Sequence, residues 1–156
     1  MTRIASHRGG ALEFGDSTPA GFKATAAMSL EEVEFDLHPT RDGAIMVHHD
    51  PTLDRTTDRS GAIADLTEAE VRAATIDYGA GGHPISLQEL CACYRESSVA
   101  FRCEIKGDAS GRPYENFVPR VVDGLERGGM LGRTVFSSFL IDVQDEIAKA
   151  TDRPRL

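Results

Sequence analysis

Two stretches of this chain alternate apolar and polar residues without a break. In Glu32-Val33-Glu34-Phe35-Asp36-Leu37, the valine, phenylalanine and leucine share one face, while Glu34 and Asp36 share the other. That period of two is the signature of a strand, and burying its apolar face aims both carboxylates the opposite way. Residues 99–106 repeat the pattern, with Val99, Phe101, Cys103 and Ile105 on one face and Arg102, Glu104 and Lys106 on the other. Shorter strands are expected over residues 3–7, 44–49 and 134–139, the second of them stopped by Asp50-Pro51.

Helix signals fall between the strands. Thr18-Pro19 offers an N-cap hydroxyl followed by a proline at the first helical position, predicting a helix to about Met28. Thr67 with Glu70 and Ser86 with Glu89 are capping boxes, opening helices that run to about Thr75 and Glu96. Residues 116–127 read as a helix that tolerates Pro119 only near its first turn and stops at Gly128-Gly129. A further helix is expected over 142–150, and Pro154-Arg155-Leu156 resembles the start of a sixth strand. Arg41-Asp42-Gly43 is a turn. Strands alternating with helices indicate an α/β fold with a parallel sheet, in which polar residues at successive strand ends converge on one mouth.

The 156 residues, 40% hydrophobic and 27% charged, suit one globular domain over 1–156 with a real core. A net charge of −8 argues against a nucleic-acid or anionic-membrane partner, since both call for a basic face. No apolar run approaches the ~20 residues that span a bilayer. The start of the chain lacks a basic n-region and an apolar h-region, which predicts a cytoplasmic protein. Cys91, Cys93 and Cys103 fit neither a disulfide framework nor zinc-ligand spacing, so they read as structural thiols.

Candidate chemistry gathers at the strand ends: His7-Arg8-Gly9, Glu34-Phe35-Asp36, His48-His49-Asp50 and Glu104-Ile105-Lys106. These supply hard carboxylate ligands, imidazoles and fixed cations, the groups phosphate chemistry uses. Taken alone, Glu34 and Asp36 could be a solvated strand face and His7 a structural histidine; the repetition at Glu104 and Lys106 favours a ligand role. Of the two adjacent histidines, His49 is expected to face the mouth and His48 not. Asp50 either orients His49 or merely begins the Pro51 turn. Arg55, Thr56 and Thr57 are read equally well as loop caps, and His38 and His83 as surface residues.

Together the motifs HRG at 7–9, EFD at 34–36, TRDG at 40–43, HHDPTLDRTT at 48–57, PISLQEL at 84–90, EIK at 104–106 and SSF at 137–139 resemble the successive signatures of the glycerophosphodiester phosphodiesterases. The resemblance implies a (β/α)8 TIM barrel of the phosphodiesterase type, with about the first five to six βα units present. It implies hydrolysis of a small glycerophosphodiester to an alcohol and glycerol 3-phosphate. Glu34, Asp36 and Glu104 would hold a divalent cation, Mg²⁺ or Ca²⁺; His7 and His49 would form the acid/base pair; Arg8 and Lys106 would contact the phosphate. One departure is Gly15-Asp16-Ser17-Thr18, where the family usually shows Pro-Glu-Asn-Thr. The other is length, which predicts either a further C-terminal segment or a homodimer partner completing the sheet. Two alternatives stand beside hydrolysis: a catalytically weak barrel fragment or interaction module that keeps metal binding, and a related lyase giving a cyclic phosphate.

Overall fold

A computed structural model describes residues 4–156. Strand β1 (Ala5–Ser6) pairs in parallel with β2 (Glu32–Pro39), β2 with β4 (Ala100–Ile105), and β4 with β5 (Thr134–Ser137). Beyond β5, a parallel bridge joins Phe136 to Arg155, with Phe136 N–H donating to the Pro154 carbonyl and Leu156 N–H to the Phe136 carbonyl. Among the described residues the barrel wall is therefore four parallel strands and the start of a fifth, one unit fewer than the strand pattern predicts.

The missing unit is β3 (Ile45–Val47), which the alternation placed in the wall as the third strand. It runs antiparallel to β2, with Leu37 opposite Val47 and Pro39 opposite Ile45. The reason is the length of the link. A parallel neighbour requires a crossover of about a dozen residues or more, and Arg41-Asp42-Gly43 can close only a hairpin. His48, His49 and Asp50 consequently lie outside the strand, at the start of a long excursion. The first predicted strand is also shorter, because His7–Gly9 turns as a 3-10 segment. Met1, Thr2 and Arg3 lie outside the described residues.

The helices follow their caps. Those expected are α2 (Pro19–Ala26), α3 (Glu68–Arg72), α4 (Leu87–Tyr94), α5 (Phe117–Arg127) and α6 (Ile141–Ala150); a short α1 (Ala11–Phe14) was not foreseen. Thr18 Oγ1 accepts from Gly21 N–H, and the capping boxes at Thr67 and Ser86 are both formed. Val33, Phe35 and Leu37 of β2, Phe101 and Cys103 of β4 and Phe136 of β5 are fully buried with Phe22, Leu90, Tyr94, Val121 and Ile147 from the helices. The core thus lies between the sheet's outer face and the helix layer. A second cluster of Met46, Leu53, Ile63, Val71 and Ala74 roots the excursion after β3. No helix among the described residues is long and apolar enough to cross a membrane.

One close approach sets the position of the His7 loop. A Cβ on Gly21 would lie 2.5 Å from the Gly9 carbonyl oxygen and 3.0 Å from Phe14 Cβ, so α2 packs against this loop backbone to backbone. Gly21→Ala is expected to cost about 1–3 kcal/mol in urea unfolding by forcing the two apart; an unchanged midpoint would mean that the loop yields freely.

Candidate active site

The register of β2 on β4 places Asp36 opposite Glu104 and Glu34 opposite Arg102. All these side chains lie on the sheet face away from the core, as alternation predicts. One oxygen from each of Glu34, Asp36 and Glu104 can be chosen so that all lie within 4.8 Å of one another. Asp36 is 1% exposed, and neither of its carboxylate oxygens has a hydrogen-bond partner of sound geometry. Burial, aided by the Glu34 charge, pushes its carboxyl up to about 8, and burial also raises Glu34. Lys106 Nζ stands 2.6 Å from Glu104 Oε1 and 3.1 Å from Asp36 Oδ1. Burial alone would depress that ammonium, but the Asp36 and Glu104 charges outweigh it and raise it. Three acidic groups crowded at this spacing are costly unless cations offset them, and Lys106 supplies one such charge to Asp36 and Glu104.

The loop after β1 closes one side of this cluster. Arg8 adopts φ 48°, the left-handed region that non-glycine residues rarely occupy. The turn is held because Arg8 N–H donates to Glu34 Oε2 at 3.0 Å and Ser17 N–H donates to the Arg8 carbonyl at 3.0 Å. The Arg8 guanidinium reaches Asp16 Oδ2 at 2.8 Å, with its Nε 3.7 Å from Asp36 Oδ2. His7 Nε2 is 3.8 Å from Glu34 Oε2, and its side chain is 65% exposed. Asp16 pairs with Arg8 and Arg55 and is not one of the clustered carboxylates.

The other side is a cavity of about 250 Å³, lined by His38, His49, Glu104, Lys106, Asp108 and Phe139 among others. His49 Nδ1 lies 2.6 Å from Asp50 Oδ1, so Asp50 does orient it. His48 is buried elsewhere: its Nδ1 meets the Asp50 carbonyl at 2.9 Å and its Nε2 the Thr56 hydroxyl at 3.1 Å. The two histidines diverge because of the loop, not because of strand alternation.

His38 is not a surface residue. It is fully buried, with Nε2 3.1 Å from the His49 carbonyl oxygen and Nδ1 2.9 Å from the Tyr114 hydroxyl. A carbonyl can only accept, so Nε2 carries the hydrogen. Burial lowers this imidazole to about 4, leaving it neutral, so Tyr114 donates to Nδ1. His38 thus anchors the backbone of His49. Its position two residues beyond Asp36 was the available signal. For Tyr114, Asp16 and Arg55, no short-range pattern marked the contact.

Glu34, Asp36 and Glu104 thus sit together, with His7 and Arg8 against Glu34 and Asp36 on one side, and Lys106 and the cavity that holds His49 on the other. The Glycerophosphoryl diester phosphodiesterase family model matches residues 7–143. The chain belongs to that family. A glycerophosphodiester phosphodiesterase of Caldanaerobacter subterraneus subsp. tengcongensis is 28% identical over 143 residues, covering 88% of this chain and 58% of the relative. The crystal structure of a "Putative glycerophosphoryl diester phosphodiesterase" from Agrobacterium tumefaciens superimposes with a TM-score of 0.97 at 70% identity, covering 99% of this chain and 63% of that one. An Oleispira antarctica phosphodiesterase, in complex with the product sn-glycerol-3-phosphate, shares the fold with a TM-score of 0.80 at 22% identity, covering 99% and 65%. This family member thus spans somewhat under two thirds of each of these three proteins.

Proposed function

We propose that this chain performs metal-dependent hydrolysis of glycerophosphodiesters to an alcohol and glycerol 3-phosphate, with His7 and His49 as the acid/base pair. The reading is carried by the convergence of Glu34, Asp36 and Glu104 within 4.8 Å, with His7 beside Glu34 and a cavity holding His49 and Lys106 adjoining Glu104. The name of the Caldanaerobacter relative and the product held by the Oleispira enzyme support the substrate class.

A divalent cation fits the three carboxylates. Asp36 is buried, neither of its oxygens has a hydrogen-bond partner of sound geometry although Lys106 Nζ stands 3.1 Å from one, and an all-oxygen donor set suits a hard ion such as Mg²⁺ or Ca²⁺. When bound, such an ion withdraws charge from a phosphodiester oxygen. The remaining work falls to the chain's own side chains. Arg8 and Lys106 hold phosphate oxygens. One imidazole takes the proton of the attacking oxygen and the other protonates the leaving alkoxide. Asp50 accepts from His49 Nδ1–H, which leaves Nε2 as the atom free for proton transfer. The free thiols of Cys91, Cys93 and Cys103 accord with a reducing, cytoplasmic setting.

Glycerophosphocholine incubated with the purified 156-residue chain, with and without Mg²⁺ or Ca²⁺, tests this. Expected are ion-dependent release of choline, its loss in Glu34→Gln, and a melting temperature raised by the ion. A cyclic phosphate among the products would make the chain a lyase. Ion-induced stabilisation without turnover would leave a metal-binding fragment. Size-exclusion chromatography of the same sample reports whether a second copy accompanies activity.

A further inference from the structure

Arg55 stands outside the carboxylate cluster, yet it touches both loops that carry the proposed reactive groups. Its Nε donates to Asp50 Oδ2 at 2.6 Å and its Nη2 to Asp50 Oδ1 at 3.0 Å. The same Nη2 reaches Asp16 Oδ2 at 3.0 Å, 39 positions earlier in the chain. Each carboxylate passes the contact on. Asp50 Oδ1 accepts from His49 Nδ1 at 2.6 Å, and Asp16 Oδ2 accepts from Arg8 Nη1 at 2.8 Å. The result is an unbroken line of five side chains, His49, Asp50, Arg55, Asp16 and Arg8.

We propose that Arg55 is a positioning residue, a clamp that sets the His49 ring and the Arg8 guanidinium relative to one another through Asp50 and Asp16. The proposal rests on the roles given above to His49 and Arg8. Three features support it. Arg55 grips both oxygens of Asp50, which removes the rotation that a carboxylate anchored only by His49 would retain. A planar guanidinium can engage two carboxylates at once in fixed geometry, whereas a lysine offers a single point charge. And although burial pushes Asp50 the other way, the hydrogen bonds from Arg55 and His49 hold it well below the usual carboxylate range, so it acts only as an acceptor and keeps the hydrogen on His49 Nδ1.

A merely structural ion pair would behave differently. The Arg55 side chain is 48% exposed, and exposed pairs contribute little to stability. Removing the clamp should therefore disturb geometry more than folding.

The experiment compares Arg55→Ala, Arg55→Lys and Asp16→Asn with the wild-type 156-residue chain. One readout is the ¹⁵N shifts of the His49 imidazole, assigned by their loss in His49→Gln; the other is kcat and KM for glycerophosphocholine. In the wild type, Nδ1 should read as the hydrogen-bearing nitrogen. In Arg55→Ala the two His49 nitrogens should move toward averaged values, kcat should fall roughly tenfold to a hundredfold and KM should rise, with the melting temperature nearly unchanged. Arg55→Lys should keep the fold without recovering kcat. Asp16→Asn should raise KM more than it lowers kcat, since it loosens Arg8. Wild-type His49 shifts in Arg55→Ala, or turnover within about twofold of wild type, would overturn the clamp. Absence of turnover in the wild-type chain would instead remove the hydrolase reading, and the nitrogen shifts would still decide the clamp.

Discussion

Asp36→Asn is expected to produce a protein that is more stable than wild type without metal and incapable of metal-dependent turnover. The stabilisation follows from Asp36's environment. Its carboxyl is 1% exposed, has no hydrogen-bond partner of sound geometry although Lys106 Nζ stands 3.1 Å away, and is raised from an ordinary 3.8 to about 8, chiefly by burial. Below the lower value, folded and unfolded chains both hold the proton and the group is neutral in its effect. Between 3.8 and about 8 the folded chain keeps a proton that the unfolded chain has lost, so stability falls as pH rises, and the loss is complete above the upper value. The effect at pH 8 is on the order of several kcal/mol. Metal-free wild type should therefore melt at progressively lower temperature as pH climbs through this window, while Asp36→Asn stays flatter. Lys106 should keep its 2.6 Å contact with Glu104 in the variant. Ion binding to wild type should tighten across the same window, because the ion displaces the Asp36 proton. Equal melting temperatures for the two metal-free proteins at pH 8 would show that Lys106 already compensates the charge.

His49→Ala and His48→Ala should separate chemistry from folding at adjacent positions. His49 is part-buried at the cavity, and its removal is expected to cost kcat about 10²–10⁴-fold with little change in melting. His48 is 4% exposed and satisfies the Asp50 carbonyl and the Thr56 hydroxyl. Its loss leaves a void and two unpaired groups, a cost of about 2–4 kcal/mol. The surviving folded fraction should retain most of its turnover. Stopped turnover in His48→Ala with His49→Ala still active would reverse the two assignments.

The parts of this site that alternation governs were legible. Val33, Phe35 and Leu37 are in the core and Glu34 and Asp36 face away from it, because a period of two leaves no choice once one face is buried. The same rule puts His38 on the face of Asp36, two residues on, and reading it as a surface residue neglected that the strand continues to Pro39. Taking residues 44–49 for a wall strand weighed strand propensity above connection length, although Arg41-Asp42-Gly43 in itself forbids a parallel return. What no local pattern could show is the pairing of Asp16 with Arg55. It joins loops 39 positions apart, and depends on how the excursion after β3 folds back over the His7 loop.

Asp36 and Glu104 are direct cross-strand neighbours on β2 and β4. Above the pH at which Asp36 loses its proton, like charges opposite one another disfavour this pairing, and the Lys106 ammonium offsets part of that cost. A slip of one residue would set Asp36 against Cys103 or Ile105 instead of Glu104. An ion shared by the two carboxylates, as proposed above, would turn their repulsion into a cross-link, and only the native alignment presents both to it. Occupancy and sheet register would then be one linked equilibrium: a chain folding with such an ion present would be proofread for strand alignment before any substrate arrives.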